Sequence, residues 1–169
     1  MSKAWNIAEP APEEFVAALS AYPSIISQLL WNRGIRTPEE AMIFFEPSYD
    51  EHVHDPFLFS RMKDAVARIF AAFDRGERIT IHGDYDADGV CGSALLFSAL
   101  RSLCRLLKKD VQTIKAFLPN RERDGYGLSE ATATRLCDEG TKLILTVDCG
   151  ISNKPAIDLA ASRGTDTIV

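Results

Sequence analysis

The spacing of apolar side chains changes character once along this chain. Up to about residue 55 they recur at helical spacing in short runs cut by proline. Pro12 to Ala21 places Phe15, Ala18 and Leu19 on one stripe, and Ser24 to Asn32 does the same with Ile25, Leu29 and Leu30 before Gly34. Thr37-Pro38-Glu39-Glu40 predicts a helix start, with Thr37 as N-cap, proline at the first helical position and a carboxylate at the third. That helix is expected to end before Pro47, and Pro47 to Pro56 reads as a connection in which His52 and His54 are solvated rather than metal ligands. From Met62 the pattern alternates between periods. A helix to Asp74 is stopped by Gly76; a strand covers Arg78 to His82; a helix runs from about Val90 to Leu107. A strand over Val111 to Leu118, a helix over Leu128 to Asp138 stopped by Gly140, and a buried strand over Lys142 to Val147 come next. A last helix from about Pro155 to Gly164 precedes Thr167-Ile168-Val169, the opening of another strand. Alternating strands and helices predict an α/β fold, a mostly parallel sheet flanked by helices and preceded by a small helical segment.

Composition narrows the class. With 169 residues and 46% hydrophobic content the chain can bury one core with a small appendage, which excludes disorder. A net charge of −5 removes any broad attraction to nucleic acid, so a polyanion has to bind locally. The four cysteines, Cys91, Cys104, Cys137 and Cys149, form no CxxC pair and no zinc spacing, the pattern of reduced, packed thiols in a cytoplasmic protein. The apolar runs look well short of the ~20 residues that span a bilayer, and the opening residues are no secretory signal, so no membrane association is expected.

Candidate chemistry sits where the first strand ends. In Ile79-Thr80-Ile81-His82-Gly83-Asp84-Tyr85-Asp86-Ala87-Asp88-Gly89 a histidine and three carboxylates follow an apolar run, and no Lys or Arg lies between Arg78 and Arg101. Crowded like charges resist ionisation unless a cation compensates them, and a metal is the economical one. Leu143-Ile144-Leu145-Thr146-Val147 repeats the arrangement and delivers Asp148. Ligands of parallel sheets bind outside the carboxyl ends of the strands, so Asp86, Asp88 and Asp148 are expected to face one crevice. Hard oxygen donors suit Mg²⁺ or Mn²⁺, and an imidazole from His82 tilts the choice toward Mn²⁺. Two such ions ~3.5–4 Å apart are the device of phosphoester hydrolysis. Asp84, Asp86, Asp88 and Gly89 also match the first positions of an EF-hand, but the twelfth would be Leu95 and a strand precedes the loop. A phosphate-cradling loop is equally poor, because carboxylates stand where amides and a lysine are needed. Arg121 is a candidate phosphate grip, Tyr126 a candidate stacking platform, and Arg101, Arg105, Lys108 and Lys109 read as a solvated helix face.

These residues carry a family resemblance. His82-x-x-x-Asp86-x-Asp88-Gly89 and Thr146-Val147-Asp148-Cys149-Gly150-Ile151-Ser152 resemble the first two motifs of the DHH phosphoesterase superfamily. Asp55-Pro56-Phe57-Leu58, the full His82 to Gly89 run, and Leu118-Pro119-Asn120-Arg121 leading to Gly125-Tyr126-Gly127-Leu128 are together similar to the RecJ-type exonucleases of that superfamily. The resemblance implies a helical amino-terminal segment over 1–55 and the first part of a DHH domain over 56–169, cut before its third motif, Asp-His-His. It implies a metal-dependent 5′-to-3′ exonuclease of single-stranded DNA in recombination and repair. Asp86, Asp88 and Asp148 would be the metal-binding catalytic residues, with His82 and Asp84 as further ligands or their supports, and Arg121 and Tyr126 on the substrate. The intact enzyme would hold two Mn²⁺ or Mg²⁺ ions and act as a monomer beside a single-strand-binding protein and a helicase. The present residues are expected to be inactive or nearly so by themselves. Phosphodiesterases of short oligoribonucleotides or cyclic dinucleotides, and a non-catalytic scaffold in DNA processing, are the alternatives.

Overall fold

A computed structural model describes residue 4 and residues 6–169. The chain divides into two units, Met1–Leu58 and Phe59–Val169. The first is built from α1 (Glu13–Ala18), α2 (Ser24–Asn32), α3 (Pro38–Phe45) and the single turn α4 (Tyr49–His52). Phe15, Leu19, Leu30 and Ala41 make its core. α3 begins as expected: Thr37 accepts a hydrogen bond from the Glu40 amide while the Glu40 carboxylate accepts from the Thr37 amide. The stripe of α2 differs, since Ile25 and Leu29 are exposed and burial falls on Ser27 and Leu30. Ala18 is likewise exposed, one residue before the buried Leu19. The expected connection contains α4 because His52 Nδ1 accepts from the Ser48 amide at 2.7 Å and closes a turn.

The second unit contains α5 (Met62–Arg75), β1 (Arg78–Gly83), α6 (Ala87–Leu106), β2 (Ile114–Phe117), α7 (Glu130–Asp138), β3 (Thr141–Val147), α8 (Lys154–Ser162) and β4 (Asp166–Ile168). The four strands form one parallel sheet in the order β2-β1-β3-β4. Alternation along each strand explains the layers. Ile79, Ile81, Leu143 and Leu145 pack with Ala72 and Phe73 of α5 and Leu100 and Cys104 of α6, whereas Ile144 joins Leu136 of α7 and Ala156 and Ala160 of α8. The result is an α/β fold with helices on both faces of the sheet.

Three expectations shift. β2 is shorter than its apolar pattern because the Asp110 carboxylate accepts from the Gln112 amide and winds Val111–Thr113 into a 3₁₀ turn. α6 reaches 20 residues and, contrary to the reading of short apolar runs, is long and apolar enough to cross a membrane by length and composition. Ser93, Leu100 and Cys104 of this helix are buried, and Leu100 and Cys104 pack in the core against sheet residues, so one side of the helix covers the sheet while Leu95 and Leu106 are exposed. Cys91 on α6 is exposed rather than packed, although all four thiols are free. Of the expected solvated basic face, Arg105 and Lys108 are exposed, Lys109 pairs with Asp74 at 2.8 Å, and the Arg101 guanidinium lies 5.0 Å from the Phe97 ring.

Candidate metal centre

Register places the acidic residues. Parallel pairing sets His82 opposite Thr146 and Gly83 opposite Val147, so β1 and β3 end level at the carboxyl edge of the sheet. The Asp84 amide then donates to the Val147 carbonyl at 3.2 Å, which carries the pairing one step beyond the strands. Two glycines allow the chain to fold back there. A Cβ on Gly83 would lie 2.0 Å from Ser93 Oγ, and one on Gly89 would lie 2.5 Å from the Asp84 carbonyl oxygen. Asp86 stays extended and its Oδ1 accepts from the Gly89 amide at 3.0 Å, capping α6. Asp148 turns the chain in the left-handed region at φ 59°, a conformation Asp tolerates better than most residues.

As a result Asp84, Asp86 and Asp148 each bring one carboxylate oxygen to within 4.8 Å of the others. Asp84 is 3% exposed and Oδ1 accepts from the Tyr85 amide, whereas Asp86 and Asp148 face solvent. The Asp148 carboxyl is held above the ordinary carboxylate range, first by loss of solvent in the cleft and then by the charges of Asp86, Asp88 and Asp84. Among the described residues no Lys or Arg ion-pairs with any of these four. Three hard, mutually repelling oxygens without a counter-cation fit a divalent ion such as Mg²⁺ or Mn²⁺. The strand before the loop removes the EF-hand alternative.

Asp88 and His82 lie outside that oxygen cluster. α6 begins three residues earlier than the apolar pattern suggests, which puts Asp88 in its first exposed turn, where it adds charge to the cleft. His82 is fully buried, with its ring 5.4 Å from that of Phe117, Nδ1 3.6 Å from Cys149 Sγ, and Nε2 without a hydrogen-bond partner among the described residues. Burial, more than any neighbouring charge, pushes its pKa below 6.5. Burial in the same spot, then the Asp84 charge, raises the Cys149 thiol.

Arg121 makes no ion pair with Glu122 or Asp124; its guanidinium lies 5.3 Å from the Tyr85 ring, within the acidic loop. Tyr126 is 65% exposed and lines a pocket of about 170 Å³ with Asp148, Cys149, Ile151, Ser152 and Asn153. Its phenol is held above 10 by partial desolvation and then by Asp84 and Asp148. Sequence reasoning missed Tyr85 and Asn153. The first stood among the acidic residues without being weighed, and the second gave no signal beyond an amide side chain near a helix start.

The description "DHH family, N-terminal domain" matches residues 78–169. The single-stranded-DNA-specific exonuclease RecJ of Bacillus subtilis (strain 168) is 33% identical over 168 residues, 98% of this chain and 20% of that protein. The protein of the same name from Escherichia coli (strain K12) is 36% identical over 147 residues, 87% of this chain and 24% of its own length. A crystal structure of exonuclease RecJ bound to manganese shares 36% identity at a TM-score of 0.54, over 63% of this chain and 26% of that one. RecJ of Thermus thermophilus in complex with Mn²⁺ has the same TM-score of 0.54 at 26% identity, over 98% of this chain and 22% of that one. The chain thus spans a fifth to a quarter of the length of these relatives.

Proposed function

Because this chain belongs to the DHH family, we propose that its acidic pocket holds Mn²⁺ or Mg²⁺ and forms part of a hydrolase that cleaves the phosphodiester bonds of single-stranded DNA. The observation that carries this reading is the meeting of Asp84, Asp86 and Asp148 from two strand ends with no Lys or Arg ion-paired to them among the described residues. The likeness to single-stranded-DNA-specific exonucleases supports the substrate. The proposal extends to 5′-to-3′ removal of nucleotides in recombination and repair, to two ions in the intact enzyme, and to a cytoplasmic monomer working beside a single-strand-binding protein and a helicase. Such ions would supply Lewis-acid charge to a phosphoryl oxygen and lower the pKa of a bound water below that of bulk water.

The protein's own groups divide the remaining work. Asp84, Asp86 and Asp148 hold the ions, and Asp88 adds charge at the rim. His82, neutral and buried, supports the end of β1 beneath them. The guanidinium of Arg121, backed by Tyr85, takes the substrate's terminal phosphate through paired hydrogen bonds, and Tyr126 offers a ring to the adjacent base. These 169 residues contain no Asp-His-His motif, and we propose that they turn over little or nothing alone.

Binding of a 5′-phosphorylated single-stranded oligonucleotide, followed by fluorescence anisotropy with Mn²⁺ present, tests the assignment. Removing Mn²⁺ is expected to abolish binding, and Arg121→Ala to weaken it about tenfold, the loss of one charge-assisted phosphate contact. Binding that ignores both changes contradicts it. Rapid hydrolysis of the same strand by the 169 residues refutes the proposed inactivity.

A further inference from the structure

Tyr126 lies between Gly125 at φ 75° and Gly127 at φ 74°, two residues with no side chain to fix the loop. A ring 65% exposed on such a loop needs something to hold it against the acidic pocket. Asn153 is placed to do this. Its Oδ1 accepts from the Leu128 amide at 3.3 Å, and a Cβ on Gly127 would stand 2.7 Å from that same oxygen, so the amide group of Asn153 sits directly on the Gly127 backbone. From the other side, the Asn153 backbone amide donates to the Gly150 carbonyl at 2.9 Å, and the Asn153 carbonyl accepts from Ile157 in the first turn of α8. Gly150 is two residues from Asp148. One residue therefore joins the loop that carries Asp148 to the loop that carries Tyr126, and both line one pocket with it.

We propose that Asn153 is a positioning residue that clamps the Tyr126 loop onto the Asp148 loop and so holds the Tyr126 ring beside the metal pocket. The inference rests on the proposed metal centre and deepens it, since the side-chain oxygen of Asn153 is engaged by the Leu128 amide and not by the acidic cluster. Leu128, the donor to the clamp, is 1% exposed in the core with α7 and α8, so the clamp has a rigid base.

Terbium luminescence separates the clamp from the metal site without any reaction. Tb³⁺ occupies hard oxygen sites and emits when a nearby tyrosine is excited, and the share of emission that disappears in Tyr126→Phe measures how closely that ring is held. The 169-residue chain, Asn153→Leu and Asn153→Asp are titrated with Tb³⁺. Asn153→Leu, which fills the space without an acceptor, is expected to drop to the Tyr126→Phe level with an unchanged Tb³⁺ dissociation constant. Asn153→Asp, which keeps the acceptor, is expected to restore the emission. Full emission from Asn153→Leu overturns the clamp. A weaker dissociation constant in Asn153→Leu also overturns it, because Asn153 would then support the whole pocket. Binding that survives Asp86→Ala undiminished overturns the metal centre and the clamp together.

Discussion

Asp86 does two jobs that substitution can separate. Its carboxylate caps α6 through the Gly89 amide and also contributes an oxygen to the acidic pocket. Asparagine keeps a side-chain acceptor for the cap and removes the charge, whereas alanine removes both. Asp86→Ala is expected to lose about 1 kcal/mol of stability in urea unfolding through the lost cap, while Asp86→Asn stays near the parent; both lose Mn²⁺ binding. Equal stability of the two variants would contradict the capping role. His82 sets a pH dependence of known sign. Burial depresses its folded pKa below the value of 6.5 that the unfolded chain retains, so below that pH the unfolded state binds more protons. The stability it contributes is complete above pH 6.5 and is lost as pH falls through the folded value. Urea midpoints measured at about pH 7.5 and about pH 5.5 should fall with acidity, and the fall should shrink in His82→Phe. An identical slope in that variant would contradict this assignment. Asp148 carries the opposite sign, because its raised pKa favours the protonated form in the metal-free folded state.

At the scale of elements, strands and helices of the second unit were legible because period and punctuation agree there. Gly76, Gly140 and Gly164, all at positive φ, stand just beyond the helices they close, and β3 is an apolar run buried through its middle. What remained hidden depends on capping or on tertiary neighbours. Asp110 shortened β2, Asp86 lengthened α6 at its start, and the pocket's innermost carboxylate is Asp84, whose proximity to Asp148 comes from the level ending of β1 and β3. No sequence spacing encodes that register. One polar contact inside the sheet helps to fix it: Thr80 and Thr141 hydroxyls meet at 2.7 Å between β1 and β3, both buried. Thr80→Val leaves the Thr141 hydroxyl without its partner and is expected to cost about 1–3 kcal/mol. Thr80→Val combined with Thr141→Val should cost less than the sum of the two single changes. Simple additivity in urea unfolding would show that the pair contributes nothing to strand register.

For the whole molecule, a net charge of −5 and an acidic cleft leave the protein poorly suited to a polyanion until cations enter. Metal should therefore act on the fold as well as on substrate. An ion that binds only the folded state stabilises it by about 2.7 kcal/mol at a hundred times its dissociation constant, so the unfolding temperature should rise with Mn²⁺ concentration, and the rise should vanish in Asp148→Ala. The most direct test of the account is calorimetric titration of Mn²⁺ into the 169-residue chain, Asp86→Ala and Asp148→Ala. Saturable binding by the parent, weakened at least about tenfold by either substitution, is the predicted result, since each removes one of three charged ligands. The same heat and the same affinity in all three proteins would mean that carboxylates from the two strand ends do not share an ion.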